Sequence, residues 1–245
     1  ANFDSTDLSL AFFSGIYQEH DTSFEVAAST TNNNEYYFVP NFDFLSTDEI
    51  YLYRISPRYD STDPTNIINN FDVLDTSTLS TNSNAISFTK DSVSYSVTSS
   101  TLEQFIISVA GVVQNPNLLT VSNNTVGLGV NIGFDNTKVC AVRHENLRKL
   151  SFTNPQTNNT VFTLNYTPSD HCELLIFYLG VFQTQLVPAQ DFTISGNQIT
   201  FESSVDPSLV FGWYIQNETI TCESIDTALL NQNRIQSILH CTSAN

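Results

Sequence analysis

Four stretches of the chain hold residue types that metal or acid–base chemistry uses. His144-Glu145-Asn146-Leu147-Arg148 opens like the helical zinc-protease motif, but Arg148 stands where the second His is needed, so one helical face cannot present two imidazoles. Asp170-His171-Cys172-Glu173 holds good ligand types in succession, yet neighbouring extended residues point to opposite faces and cannot all reach one ion. Asp4-Ser5-Thr6-Asp7 and Asp60-Ser61-Thr62-Asp63 offer oxygens to calcium without the spacing or terminal Glu of an EF-hand loop. No metal is expected at His144–Arg148, and surface loops are expected at the other three places. The 8 glycines form neither a nucleophile elbow nor a phosphate-binding loop. Acidic residues are abundant, but nothing selects a glycosidase-like pair among them. The expectation is a chain with no catalytic, cofactor or metal site, and not an enzyme.

Binding residues are less sharply marked. Lys138, Arg143, Arg148 and Lys149 are half of the 8 basic residues and form a candidate docking patch for an acidic neighbour, against the ordinary reading of charged linker residues. Trp213, with Phe211 and Tyr214, has the composition of a sugar-stacking platform, but alternate residues of a strand must fill an interior, so core packing is expected. Cys140, Cys172, Cys222 and Cys241 lie too far apart for a CxxC motif; free thiols are expected, and a secreted origin would allow a Cys140–Cys172 or Cys222–Cys241 bridge. The Asn123, Asn158, Asn165 and Asn217 sequons follow from a composition rich in Asn and Thr.

The elements that would position these residues are strands. Of the 245 residues 40% are hydrophobic, with 18 Phe and 10 Tyr, so the chain can build cores. Its 8 Lys and Arg against 25 Asp and Glu leave a net charge of -17, which repels duplex nucleic acid and anionic membrane surfaces. No apolar run reaches the roughly 20 residues of a membrane span, and the polar first residues lack a signal-peptide core, so a soluble chain made in the cytosol is expected.

Aromatic and β-branched runs separated by Asn, Ser, Thr and Asp clusters fill most of the length. In the run Ile50 to Ile55, Ile50, Leu52 and Arg54 would face one side and Tyr51, Tyr53 and Ile55 the other, which predicts a strand buried on both faces. Glu103 to Gln114 and Glu173 to Gln183 repeat one another, with Gly111 and Gly180 in the same place inside a predicted strand, where glycine marks a bulge. Asp191 to Ile194 and Gln198 to Phe201 follow across Ser195-Gly196-Asn197, a hairpin signal. Phe71 to Leu74 and Ala85 to Phe88 are assigned the same part in a diverged first copy.

The predicted fold is mainly β, tandem small β-sandwich or barrel-like modules followed by a carboxy-terminal α-helix. The modules are 1–90, 91–150 and 151–220, with helix and tail over 221–245. Ser224 is the predicted N-cap, and Ile225, Ala228, Leu229, Gln232, Ile235 and Leu239 fall on one apolar stripe, a predicted oligomer interface.

The strand sequences Val161 to Leu164, Leu174 to Gln183, Asp191 to Ile194, Ile199 to Phe201 and Phe211 to Ile215, followed by that helix, resemble the β module at the amino terminus of tail-fibre proteins from short-tailed bacteriophages, which recurs in related phage appendages. The resemblance spans 151–240 well, 91–150 fairly and 16–90 weakly. It implies a non-enzymatic, trimeric structural protein on the exterior of a virion, made in the host cytoplasm and partnered by other tail proteins; a glycan receptor is expected only of an adhesin. Because the long shaft and receptor-binding tip of those fibres do not follow the helix, a short appendage or fibre adaptor is expected, with a capsid decoration, head fibre or carbohydrate-binding adhesin as alternatives.

Overall fold

The computed structural model describes residues 8–19, 24–28, 36–41, 48–56, 58–59, 67–68, 71–80, 82–129, 135–153, 159–186, 190–216 and 219–225. These residues are mainly β, arranged in several small antiparallel sheets. Among them the only helical turns are three short 3-10 segments, Leu102–Gln104, His171–Glu173 and Pro207–Leu209.

Three of the sheets share one strand order. In the first, Ile16–Gln18, Leu8–Phe13, Ile50–Ser56 and Thr219–Ile225 lie side by side. In the second, the order is Val112–Val113, Phe105–Val109, Thr137–His144 and Phe71–Val73, with Ser77–Leu79 also on Thr137–His144. The third runs Val181–Gln183, Leu174–Tyr178, Val210–Ile215 and Leu147–Lys149. The fourth strand follows the third strand of a different sheet each time. Leu147–Lys149 follows Thr137–His144 of the second sheet yet pairs with Val210–Ile215 of the third. Likewise Thr219–Ile225 leaves the third sheet and pairs along its whole length with Ile50–Ser56 of the first. The three sheets are therefore linked head to tail, and the last described strand returns to the beginning.

These central strands read as near-continuous apolar runs because both of their faces are covered. Side chains on one face, among them Leu10, Phe12, Tyr53, Ile106, Leu175, Phe177 and Trp213, meet in a single core shared by all three sheets. Those on the opposite face belong to separate cores. Phe105, Ile107 and Val139 pack with Ile86, Phe88 and Val126. Leu174, Ile176 and Val210 pack with Phe162, Ile199 and Phe201. The partner layers are the sheets Ala85–Ile86, Thr125–Gly127, Thr120–Ser122 and Phe152–Thr153, Val161–Leu164, Gln198–Phe201, Phe192–Ser195. Burying one Phe or Leu contributes roughly 1.5–3 kcal/mol, so a module joined to the shared core gains what its small interior cannot supply. As expected from the sequence, Tyr51, Leu52, Tyr53, Arg54 and Ile55 are all buried.

Several expectations are corrected. Gly111 and Gly180 are not bulges inside one strand; each is the second residue of a two-residue turn that splits the predicted strand into a hairpin. Strand pairing crosses the expected boundaries at 90 and 220, since Phe71–Val73 and Ala85–Ile86 pair within the second module and Thr219–Ile225 within the first. The expected helix does not begin at Ser224. Ser224 and Ile225 continue the strand Thr219–Ile225, paired with Tyr51 and Ile50 of the first sheet. Ala228, Leu229, Gln232, Ile235 and Leu239 lie outside the described residues. Finally, Cys172 and Cys222 form a disulfide, a pairing that matches neither expected bridge, while Cys140 is a free thiol. The two sulfurs meet because the returning strand passes the His171–Glu173 turn.

Candidate functional site

The three sheets meet at three copies of one hairpin. Its sequence is Gly-[Ile/Val]-apolar-Gln, as Gly15-Ile16-Tyr17-Gln18, Gly111-Val112-Val113-Gln114 and Gly180-Val181-Phe182-Gln183. Both turn residues adopt positive φ in every copy: Ser14 46° and Gly15 79°, Ala110 49° and Gly111 81°, Leu179 56° and Gly180 83°. This is the primed turn whose twist matches antiparallel strands. Each Gln side chain donates back to the carbonyl two residues earlier, at 3.0 Å for Gln18, 2.8 Å for Gln114 and 3.2 Å for Gln183.

The glycines then join the hairpins in a cycle. Tyr17 N–H donates to Gly111 O at 3.0 Å, Val113 N–H to Gly180 O at 3.1 Å and Phe182 N–H to Gly15 O at 2.8 Å. A Cβ on Gly111 would sit 2.4 Å from Ile16 Cγ2, one on Gly180 2.4 Å from Val112 Cγ1, and one on Gly15 2.3 Å from Val181 Cγ1. Glycine is thus required twice over, by its φ and by the next hairpin against it.

The cycle is not uniform. Counting back from the turn glycines, Phe12, Ser108 and Phe177 are equivalent, and their cross-strand partners are Tyr51, Cys140 and Phe211. Phe12 stacks on Phe182 across one joint with ring centroids 4.2 Å apart, and Phe177 stacks on Phe211 at 5.5 Å. Where Ser108 and Cys140 replace two aromatic side chains, a pocket of about 220 Å³ opens, lined by Ile16, Tyr17, Gln18, Glu19, Ser108, Ala110, Gly111, Lys138 and Cys140. Ser108 Oγ is buried without a hydrogen-bond partner. Exposed Lys138 pairs with Glu19 at 3.6 Å. Burial, with Glu19 next in effect, pushes the Cys140 thiol up to about 11, so it is no nucleophile at neutral pH. Burial likewise keeps the Tyr17 hydroxyl protonated.

The four residues of the expected docking patch have different partners. Lys138 is engaged by Glu19, and Arg143 reaches Asp72 at 3.4 Å and Gln104 Oε1 at 3.0 Å. Asp72 also accepts from Lys90 and Tyr95. Burial opposes its charge, but those hydrogen bonds and the cations Lys90 and Arg143 hold the carboxyl below its usual range. Arg148 donates to the carbonyls of Glu145 at 2.6 Å and Leu147 at 2.9 Å. Lys149 sits opposite Trp213 on the edge strand of the third sheet. His144, between these cations, is buried at the position that Ile55 and Ile215 occupy in the other sheets. Its Nδ1 accepts from Asn146 N–H at 3.1 Å. Burial above all, then the charges of Arg143 and Arg148, lowers its pKa to about 4, so the ring is neutral.

The Asp170 to Glu173 stretch disperses its side chains. Asp170 caps its own turn through Cys172 N–H at 2.8 Å, and Glu173 accepts from Tyr166 at 2.7 Å and from Ser169. Ligand atoms of His171, Cys172 and Cys222 lie within 4.8 Å of one another, but both sulfurs are bonded to each other, which leaves one imidazole for an ion. Trp213 is fully buried and donates Nε1–H to Glu103 O at 3.0 Å, so it fills the shared core and offers no ring to a sugar. Asp4 to Asp7 and Asp60 to Asp63 lie outside the described residues.

Sequence reasoning missed Gly15 and the pocket beside it. The signal for Gly15 was present: Gly-[Ile/Val]-apolar-Gln occurs three times, and the first copy begins before the earliest predicted strand. Compared with known proteins, the chain matches no family model and none of the curated proteins.

Proposed function

We propose that this chain is a structural protein of a bacteriophage virion, a tail appendage or fibre-adaptor subunit that attaches to the particle through its β modules and performs no catalysis. The residues from Val161 to Ile215 that resemble the tail-fibre attachment module support it. The observation that carries the reading is the cycle of three hairpins bonded through Gly15, Gly111 and Gly180. A trimeric fibre sets three copies of one module around an axis; here one chain supplies three unlike copies in equivalent contacts. Such a body can present three related but different attachment faces, as an adaptor between unlike neighbours must. Its charge of -17 suits protein partners and opposes contact with packaged nucleic acid.

In this reading the expected apolar stripe of Ala228, Leu229, Gln232, Ile235 and Leu239 joins copies into a homotrimer. Density for three linked β modules at the tail of intact particles is the expected result of single-particle imaging. Density on the capsid would replace the appendage with a decoration or head fibre, and a purified particle lacking the chain by mass spectrometry would sink both. Native mass measurement should give a trimer that Leu229→Asp with Ile235→Asp dissociates; a monomeric wild type removes the trimer.

A further inference from the structure

We propose that the pocket between the Ile16–Gln18 and Phe105–Val109 strands is a binding site for one aromatic ring that carries a hydrogen-bonding group, a ligand of phenol size. The cycle itself indicates the shape. At two of three equivalent places the space is filled by paired aromatics, Phe12 with Tyr51 and Phe177 with Phe211. At the third, Ser108 and Cys140 leave about 220 Å³ between the same kinds of walls. An apolar cavity of roughly 150 Å³ suffices for benzene, so this one holds a single substituted ring.

The lining sets the polarity. Ile16, Tyr17 and Ala110 supply apolar surface. Ser108 Oγ, on a residue 1% exposed, is closed off behind the wall, so the polar contacts of the pocket come from its mouth. Glu19 and Lys138 add an acceptor and a donor beside exposed solvent. A plain hydrocarbon would make no use of Glu19 and Lys138, and a fused or branched ligand would exceed the volume. This site does not depend on where the protein sits in a particle.

The test is a titration of the full chain with p-cresol, and in parallel with toluene, followed by protein NMR. Saturable shifts confined to 16–19, 108–111 and 138–140 are expected with p-cresol, and binding about tenfold weaker with toluene. Ser108→Phe restores the residue type of the other two copies and should abolish p-cresol binding. Should Ser108→Phe fold poorly by circular dichroism, Glu19→Ala with Lys138→Ala keeps the space and removes the polar groups at its mouth; p-cresol should then bind no better than toluene. Shifts that do not saturate, that spread over the surface, or that persist with unchanged affinity in the folded variants would overturn the site.

Discussion

The amide of Tyr17 donates to the carbonyl oxygen of Gly111 across 3.0 Å, and the same bond recurs from Val113 to Gly180 and from Phe182 to Gly15. Each hairpin therefore both gives and receives one backbone bond, and the three sheets close on one another before any of their outer layers is considered. No single hairpin can shift without leaving a buried donor and a buried acceptor unmet.

Gly180→Ala should destabilise far more than Gly196→Ala. Both residues have positive φ, 83° and 60°, but a Cβ on Gly180 would also meet Val113 O at 2.6 Å, whereas nothing lies within 4 Å of one on Gly196. The expected losses are about 2–4 kcal/mol for Gly180 and about 1 kcal/mol for Gly196, read from urea midpoints. Equal losses would mean that the hairpins are not packed as described.

His144 should make the protein acid-sensitive above the carboxylate range. Its folded pKa, about 4, lies below the ordinary 6.5, so the unfolded chain takes up the proton first. The stabilisation is complete above about pH 6.5 and is lost as pH falls toward 4, amounting to roughly 3 kcal/mol. His144→Ile, the residue type at Ile55 and Ile215, should flatten the stability profile between those limits, measured by thermal melts at stepped pH.

Reduction of Cys172–Cys222, or Cys222→Ser, should loosen the closing strand. The bridge spans 50 residues, and a loop of that length corresponds to about 4 kcal/mol in the chain-entropy account. Hydrogen exchange should accelerate first in 219–225 and in its partner strand 50–56; protection unchanged under reductant would argue that pairing alone holds the closure.

Asp72→Asn should cost about 1–3 kcal/mol at neutral pH, because Lys90, Tyr95 and Arg143 all converge on that carboxylate. Its pKa is lowered in the fold, so its contribution is present above the usual carboxylate range and disappears as pH drops below it. The gap between variant and wild type should accordingly narrow near pH 3, which acid titration followed by fluorescence of Trp213 can read.

Strand content and the burial of the Ile50 to Ile55 strand on both faces were legible in residue order, because alternation and β-branched runs are local properties. So was the module repeat in 103–114 and 173–183. The turn glycines were visible but misread: a glycine between apolar residues looks alike in a bulge and in a two-residue turn, and the choice rests on which backbone packs over it. The Ser224 start of a helix failed for a related reason. Thr219 to Ile225 finds its partner in Ile50 to Ser56, far away in sequence, and pairing with it overrides local helical spacing. Of the expected docking patch, the residue types were apparent but not their engagement, since Glu19 and Asp72 reach Lys138 and Arg143 only through strand pairing.

The sequence alone determined a mainly β chain with repeated strand segments, strongly acidic, with its basic and aromatic residues at defined places. Tertiary structure decided that the modules form a cycle, that Cys172 meets Cys222, and that Ser108 and Cys140 open a pocket where their counterparts stack rings. The reason is physical: periodicity reports which face of a strand is buried, while identity of the neighbour is set by long-range backbone pairing and by volume shared among three modules.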